Sequence, residues 1–150
     1  MNSMDVLAKV EIFGGLKPKQ LEEIGQIATI KKYAEGEEIF HESAVAEHLH
    51  ILLNGEVVLQ VQLSSHNTKI TVGLINRSNQ CFGWSGVIAP HYYTATAVCQ
   101  QESEVMEVQG QKLLDILKED PAGGFQVLMH ITQIISTRLR NCRMALLKTL

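Results

Sequence analysis

The chain lacks any apolar run near the ~20 residues a helix needs to cross a bilayer. Its N-terminus, Met1-Asn2-Ser3-Met4-Asp5, lacks the basic-then-apolar order of a secretory signal. Cysteine is scarce. Cys81, Cys99 and Cys142 are odd in number and widely spaced, which excludes a disulfide framework or zinc spacing and makes a reducing cytoplasm the expected compartment. Positive charge is not in surplus: the net charge is −3, which argues against an extended basic footprint for nucleic acid. No internal repeat or low-complexity linker divides the chain. Neither a Ser-His-Asp nor a Cys-His constellation is readable, and no pair of carboxylates stands out, so nothing recommends hydrolysis or group transfer.

What is present is a chain of 150 residues with 45% hydrophobic and 19% charged residues, the profile of one soluble globular domain. The expected organisation is N-terminal helices over about 1–28, a β-roll over 29–109 and C-terminal helices over 110–150. Pro18 opens a helix in which Leu21, Ile24, Ile27 and Ala28 share one face. Strands are expected at 30–33 and 39–40. Asn54-Gly55, between the apolar runs 49–53 and 56–63, predicts a type I′ hairpin. Val57, Leu59, Val61 and Leu63 alternate on one face of its second strand. A polar turn at 64–68 leads to a strand with Ile70, Val72 and Leu74 on one face, and further strands follow at 94–98 and 104–108. Many short strands separated by turns mean a β-sandwich, jelly roll or barrel. A short helix at 112–117 stops near Asp120-Pro121, and a long one runs over 124–147. On the long helix Leu128, Ile131, Ile135, Leu139, Cys142 and Leu146 are spaced for a two-helix seam, against the body or a second copy. Arg138, Arg140, Arg143 and Lys148 gather toward its C-terminal end, where the dipole favours cations.

The most informative stretch is 82–97, F-G-W-S-G-V-I-A-P-H-Y-Y-T-A-T-A. Gly83 and Gly86 allow a turn and a short helical piece to bring backbone N–H groups close to one anion. Ser85 and Thr94 add hydroxyl donors.

With these residues in hand, the chain resembles the cyclic-nucleotide-binding domain of the bacterial catabolite-activator (Crp/Fnr) family. The resemblance rests on V-E-I-F-G-G-L at 10–16, A-E-G-E-E-I-F at 34–40, the run 49–57, the cassette 82–97, and the helix 124–147 with its Arg138-Leu139 pair. It implies a mainly β jelly roll with N-terminal helices and a long C-terminal helix. It implies ligand contacts at Gly83, Trp84, Ser85, Gly86, Tyr93, Thr94 and Thr96. It also implies a homodimer through the long helix. Within the cassette two positions depart from the family: Trp84 stands where a Glu holds the ribose, and Tyr93 where an Arg pairs with the cyclic phosphate. Losing two charge-assisted contacts removes roughly 3–5 kcal/mol, enough to move a micromolar site toward millimolar. His91 lies near the phosphate position as a mostly neutral donor. Asn141, Cys142 and Arg143 replace the small hydroxyl residues that cover the base. The family's winged helix-turn-helix does not follow within the 150 residues, so no DNA reading by this chain itself is expected.

The resulting expectation is a non-enzymatic cytoplasmic sensor that requires no cofactor. It takes a cyclic nucleotide or another small anion, with a protein partner as one possible output and ordinary cyclic AMP disfavoured. Two alternatives stand beside it. One is a dimerisation or docking scaffold whose pocket Trp84 plugs. The other is a metal site built on His48-Leu49-His50 and Glu56, similar to a cupin; the simpler reading places those histidines on the outer face, with Leu49, Ile51 and Leu53 inside. Tyr92-Tyr93 reads as strand or as polar wall, and Cys142 as core or as redox sensor.

Overall fold

The computed structural model describes residues 3–63 and 67–149. Two short N-terminal helices, α1 (Ser3–Leu7) and α2 (Pro18–Ile27), flank a 3-10 turn at Glu11–Phe13. Eight strands follow: β1 (Ala28–Tyr33), β2 (Glu38–Phe40), β3 (His48–Asn54), β4 (Val57–Leu63), β5 (Thr68–Ile75), β6 (Cys81–Phe82), β7 (Thr96–Cys99) and β8 (Ser103–Gln109). Helices α3 (Gly110–Lys118) and α4 (Pro121–Thr149) end the chain. The strands form two antiparallel four-stranded sheets, ordered β1-β8-β3-β6 and β2-β7-β4-β5. This is the jelly roll with N-terminal helices and a long C-terminal helix that the resemblance implied. Among the described residues no helix is long and apolar enough to cross a membrane.

Two cores result. Leu49 and Ile51 of β3 and Met106 and Val108 of β8 face outward, toward Phe13, Ile24, Leu113, Val127 and Ile131 of the helical layer. Leu52 and Val105, on the opposite face of the same strands, join Val57, Leu59, Phe82 and Ala97 inside the roll. β3 is therefore covered on both faces and reads as a continuous apolar run. That corrects the placing of the histidines outside: His50 pairs with Glu107 across the ladder and is only 3% exposed, inside the roll.

Asn54-Gly55 is a turn but not a hairpin. β3 pairs with β6 and β8, while β4 pairs with β5 and β7, so the turn carries the chain from one sheet to the other. Gly55 has φ +116°, and Asn54 is absent from the residues with positive φ, so a type I′ pair does not form. A turn signal sets local dihedrals; which strand edges meet is a long-range choice.

The expected face of β5 also shifts. The register with β4 runs Leu59 to Gly73 and then Gln60 to Thr71, leaving Val72 as an extra residue. This bulge moves the alternation by one, so Ile75 is buried and Leu74 faces solvent. The polar turn expected at 64–68 lies mostly outside the described residues.

α4 begins earlier than expected, at Pro121, which takes the first helical position while the Asp120 carboxylate accepts from the Gly123 N–H (3.3 Å). The other Asp120 carboxylate oxygen accepts from Lys17 N–H (3.2 Å), joining the starts of α4 and α2. The predicted seam residues divide between two faces. Ile131 is fully buried in the helical core, Ile135 and Cys142 pack partly on the body, and Leu128, Leu139 and Leu146 are exposed.

Candidate functional site

Gly83 (φ +73°) turns the chain out of β6 into a three-residue 3-10 turn, Trp84–Gly86. The expected helical piece is thus a single turn, too short for an appreciable dipole. The loop is closed by His91, whose Nδ1–H donates to the Ser85 carbonyl (2.9 Å), so His91 is committed to holding the loop.

Five of the seven expected ligand residues meet around one pocket: Gly83, Trp84, Ser85, Tyr93 and Thr94. Phe40 of β2, Leu59 of β4, Ala95 and Arg138 of α4 complete its wall. Two expected residues lie elsewhere. Gly86 sits against the backbone of His48, and Gly110 in turn sits against Gly86, so both glycines serve close packing between the turn, β3 and α3. Thr96 points away from the roll interior that its neighbour Ala97 faces, and its hydroxyl oxygen accepts from the Glu42 N–H (2.9 Å).

The pocket is closed by its own side chains. Tyr93 is 7% exposed and stacks on Phe40, with ring centroids 3.8 Å apart and planes 12° apart. The Arg138 guanidinium stands over Trp84, 5.5 Å from the ring centroid. The remaining cavity is about 10 Å³, room for roughly one water, where small-molecule sites span about 300–1,000 Å³.

Arg138, marked in the sequence only as part of the long helix, reaches this pocket from α4. Nothing local could have placed it here, because its partner Trp84 lies on a distant segment. Among the described residues no carboxylate pairs with it, and its Nε is buried without a hydrogen-bond partner. Burial lowers its pKa, with Cys142 opposing.

Behind Tyr93 a polar chain crosses the roll. The Tyr93 hydroxyl donates to the His48 carbonyl (3.2 Å) and lies 3.1 Å from His50 Nε2. With the hydroxyl donating to the carbonyl, it accepts from Nε2–H. His50 Nδ1 then faces Glu107 Oε2 at 3.6 Å, and the same carboxylate oxygen accepts from the Tyr33 hydroxyl (2.6 Å). Lys31 Nζ reaches the other Glu107 oxygen at 3.2 Å. Burial pushes the Glu107 carboxyl up, but the Tyr33 hydrogen bond, His50 and Lys31 outweigh it and hold it below the usual range. Burial lowers His50 to about 4, with Glu107 opposing and His48 and Lys31 assisting.

These shifts set an acid dependence. A histidine kept neutral by the fold binds fewer protons than in the unfolded chain between its folded and unfolded values. Its contribution is therefore complete above about 6.5 and is lost as the pH falls toward about 4. Glu107, with a depressed folded value, adds a second loss as the pH falls below its unfolded value of about 4.5. Thermal unfolding of the wild type is expected to show Tm falling from pH 7 to pH 5, and His50→Gln to flatten that slope. An equal slope in the variant would remove His50 from this role.

His48 and His50 do share one face of β3, yet among the described residues no group of three His, Cys, Asp or Glu side chains converges as a metal site. The nitrogen of His50 nearest the pocket is engaged by Tyr93.

The roll, its glycine-turn cassette and the long helix packed over it define the architecture of one class of domain. Residues 30–120 match the cyclic nucleotide-binding domain family, more than half of the chain, and the chain belongs to that family. A Geobacter metallireducens protein assigned to cyclic nucleotide binding is 29% identical, with TM-score 0.76, over 93% of this chain and 99% of that one. The sensor domain of the transcriptional regulator DNR from Pseudomonas aeruginosa superposes with TM-score 0.78 at 17% identity over 91% of each chain. The catabolite activator protein of Thermus thermophilus does so with TM-score 0.72 at 20% identity, over 90% of this chain and 61% of its own. At such identities the last two share the fold. No curated protein matches the chain.

Proposed function

We propose that residues 1–150 form one non-enzymatic cytoplasmic regulatory module in which the cassette is held shut by Trp84, Tyr93 and Arg138. The observation that carries this is the closed pocket itself, with a cation from α4 capping the cassette's Trp84. Micromolar cyclic AMP is not its ligand, since neither an acid for the ribose nor an arginine at position 93 is offered. The donors that remain, Ser85, Thr94 and the Arg138 guanidinium, suit a small anion. Admitting one requires Trp84 and Arg138 to separate, and because Arg138 belongs to α4, that separation changes what the long helix rests on. Calorimetric titration with cyclic AMP and cyclic GMP should show no saturable heat below about 1 mM. Micromolar binding of either would make the module an ordinary nucleotide sensor and overturn this reading.

The output surface is the exposed flank of α4. Phe125, Leu128, Leu139 and Leu146 fall at heptad spacing, and Phe125 and Leu139 are 65% and 70% exposed. Such a stripe suits a second copy of the same helix, with Met129 beside it. Light scattering at micromolar concentration should give a dimer, and Leu139→Glu a monomer with unchanged circular dichroism. A monomeric wild type would remove the seam and leave docking to another protein.

A further inference from the structure

A cleft of about 500 Å³ opens outside the cassette, between the Glu11–Phe13 turn, the β5–β6 turn and α4. That size lies within the range of small-molecule sites. Its charge is one-sided: Lys9, Arg77 and Arg138 line it against a single carboxylate, Glu11. The turn that presents Arg77 is rigidly built. The Gln80 side-chain oxygen accepts from the N–H groups of Asn76 and Arg77 (3.2 Å each), the Asn79 N–H donates to the Leu52 carbonyl (2.6 Å), and the Ser78 hydroxyl donates to the Leu53 carbonyl (3.1 Å).

Arg138 is shared between this cleft and the cassette pocket. Its guanidinium lies on the β5 backbone at Gly73, where an added Cβ would come within 2.7 Å of Nη2. One face of the cation meets Trp84, yet its buried Nε has no partner and no acid among the described residues neutralises it. A half-buried cation with no counter-ion is an incomplete site, and an anion entering the cleft would complete it.

The cleft also stays open in the dimer proposed above. His130, Gln133, Thr137 and Asn141 lie on one flank of the stripe that α4 packs on the body. Phe125, Leu128, Leu139 and Leu146 lie on the other, by the 3.6-residue period.

We propose that this cleft is a second binding site, for a small anion bearing phosphate or carboxylate groups, and that Arg138 links its occupancy to Trp84. The site is independent of whether the cassette pocket takes a ligand. The test uses the full chain at fixed ionic strength, titrated separately with pyrophosphate and with citrate. It is read by amide NMR and by the fluorescence of Trp84, the single tryptophan of the chain. Saturable shifts are expected at Asn79, Gln133 and Asn141, together with a fluorescence change. The better of the two probes identifies the group recognised. Lys9→Gln and Arg77→Gln should each weaken binding about tenfold, the weight of one charge-assisted contact. Arg138→Gln should remove the fluorescence response. Absence of saturable shifts with both probes up to about 10 mM overturns the proposal. So do shifts confined to Gly83–Ser85, which would place the anion in the cassette instead, and so does unchanged affinity in a Lys9→Gln/Arg77→Gln double variant.

Discussion

The double variant Trp84→Glu/Tyr93→Arg should bind cyclic AMP where the wild type does not, with affinity raised roughly 100- to 1,000-fold or more, the weight of two charge-assisted contacts. Each substitution acts on a contact seen in the structure. Trp84→Glu removes the ring beneath the Arg138 guanidinium and puts a carboxylate in reach of a half-buried cation that has no acid partner among the described residues. Tyr93→Arg dissolves the stack on Phe40 and puts a guanidinium at the wall of the pocket. The second change also strips His50 Nε2 of its partner, so a lower Tm is expected alongside the new affinity. Single variants should fall between the wild type and the pair. A double variant that folds cooperatively and gives no heat with cyclic AMP at about 100 μM would show that closure by these two side chains is not what excludes the nucleotide.

Gly110→Ala should be among the most destabilising single methyl additions in this chain. A Cβ at Gly110 would overlap the carbonyl of Gly86, and one at Gly86 would overlap the backbone of His48. In both cases the obstacle is main chain, which cannot rotate aside. The expected loss is about 4 kcal/mol or more, read as a Tm fall of about 10 °C or as failure to accumulate folded protein. Gly36→Ala supplies the comparison. Gly36 has φ +83° with nothing within 4 Å of an added Cβ, so it should cost only about 1 kcal/mol of backbone strain. A Gly110→Ala protein as stable as Gly36→Ala would mean that the contact between the turn and α3 can open without penalty.

The difference between those two glycines shows how far a sequence speaks for itself. Gly36 is legible, because a turn between short strands asks for a left-handed residue and glycine supplies it. Gly110 is not, since its reason is a neighbour many residues away in the chain. The same division runs through the site. The cassette 82–97 could be read as a unit because a glycine turn and small polar residues close together in sequence make one loop. Phe40, Leu59 and Arg138 could not, because β2, β4 and α4 bring them to the pocket only after both sheets and the helical layer have formed.

Alternation and turn chemistry determined the existence of most strands, the two helical ends and the glycine-turn cassette, because those signals need only near neighbours. Tertiary structure decided the rest. It sent Asn54-Gly55 between sheets instead of around a hairpin, since a turn residue sets dihedrals and not partners. It moved Ile75 inside in place of Leu74, because a bulge shifts a period of two by one residue. It buried His50, because β3 is covered on both faces and alternation then carries no sense of inside and outside. And it laid Arg138 over Trp84, because a cation and a ring so far apart in the chain can be brought together only by the packing of a long helix on a finished roll.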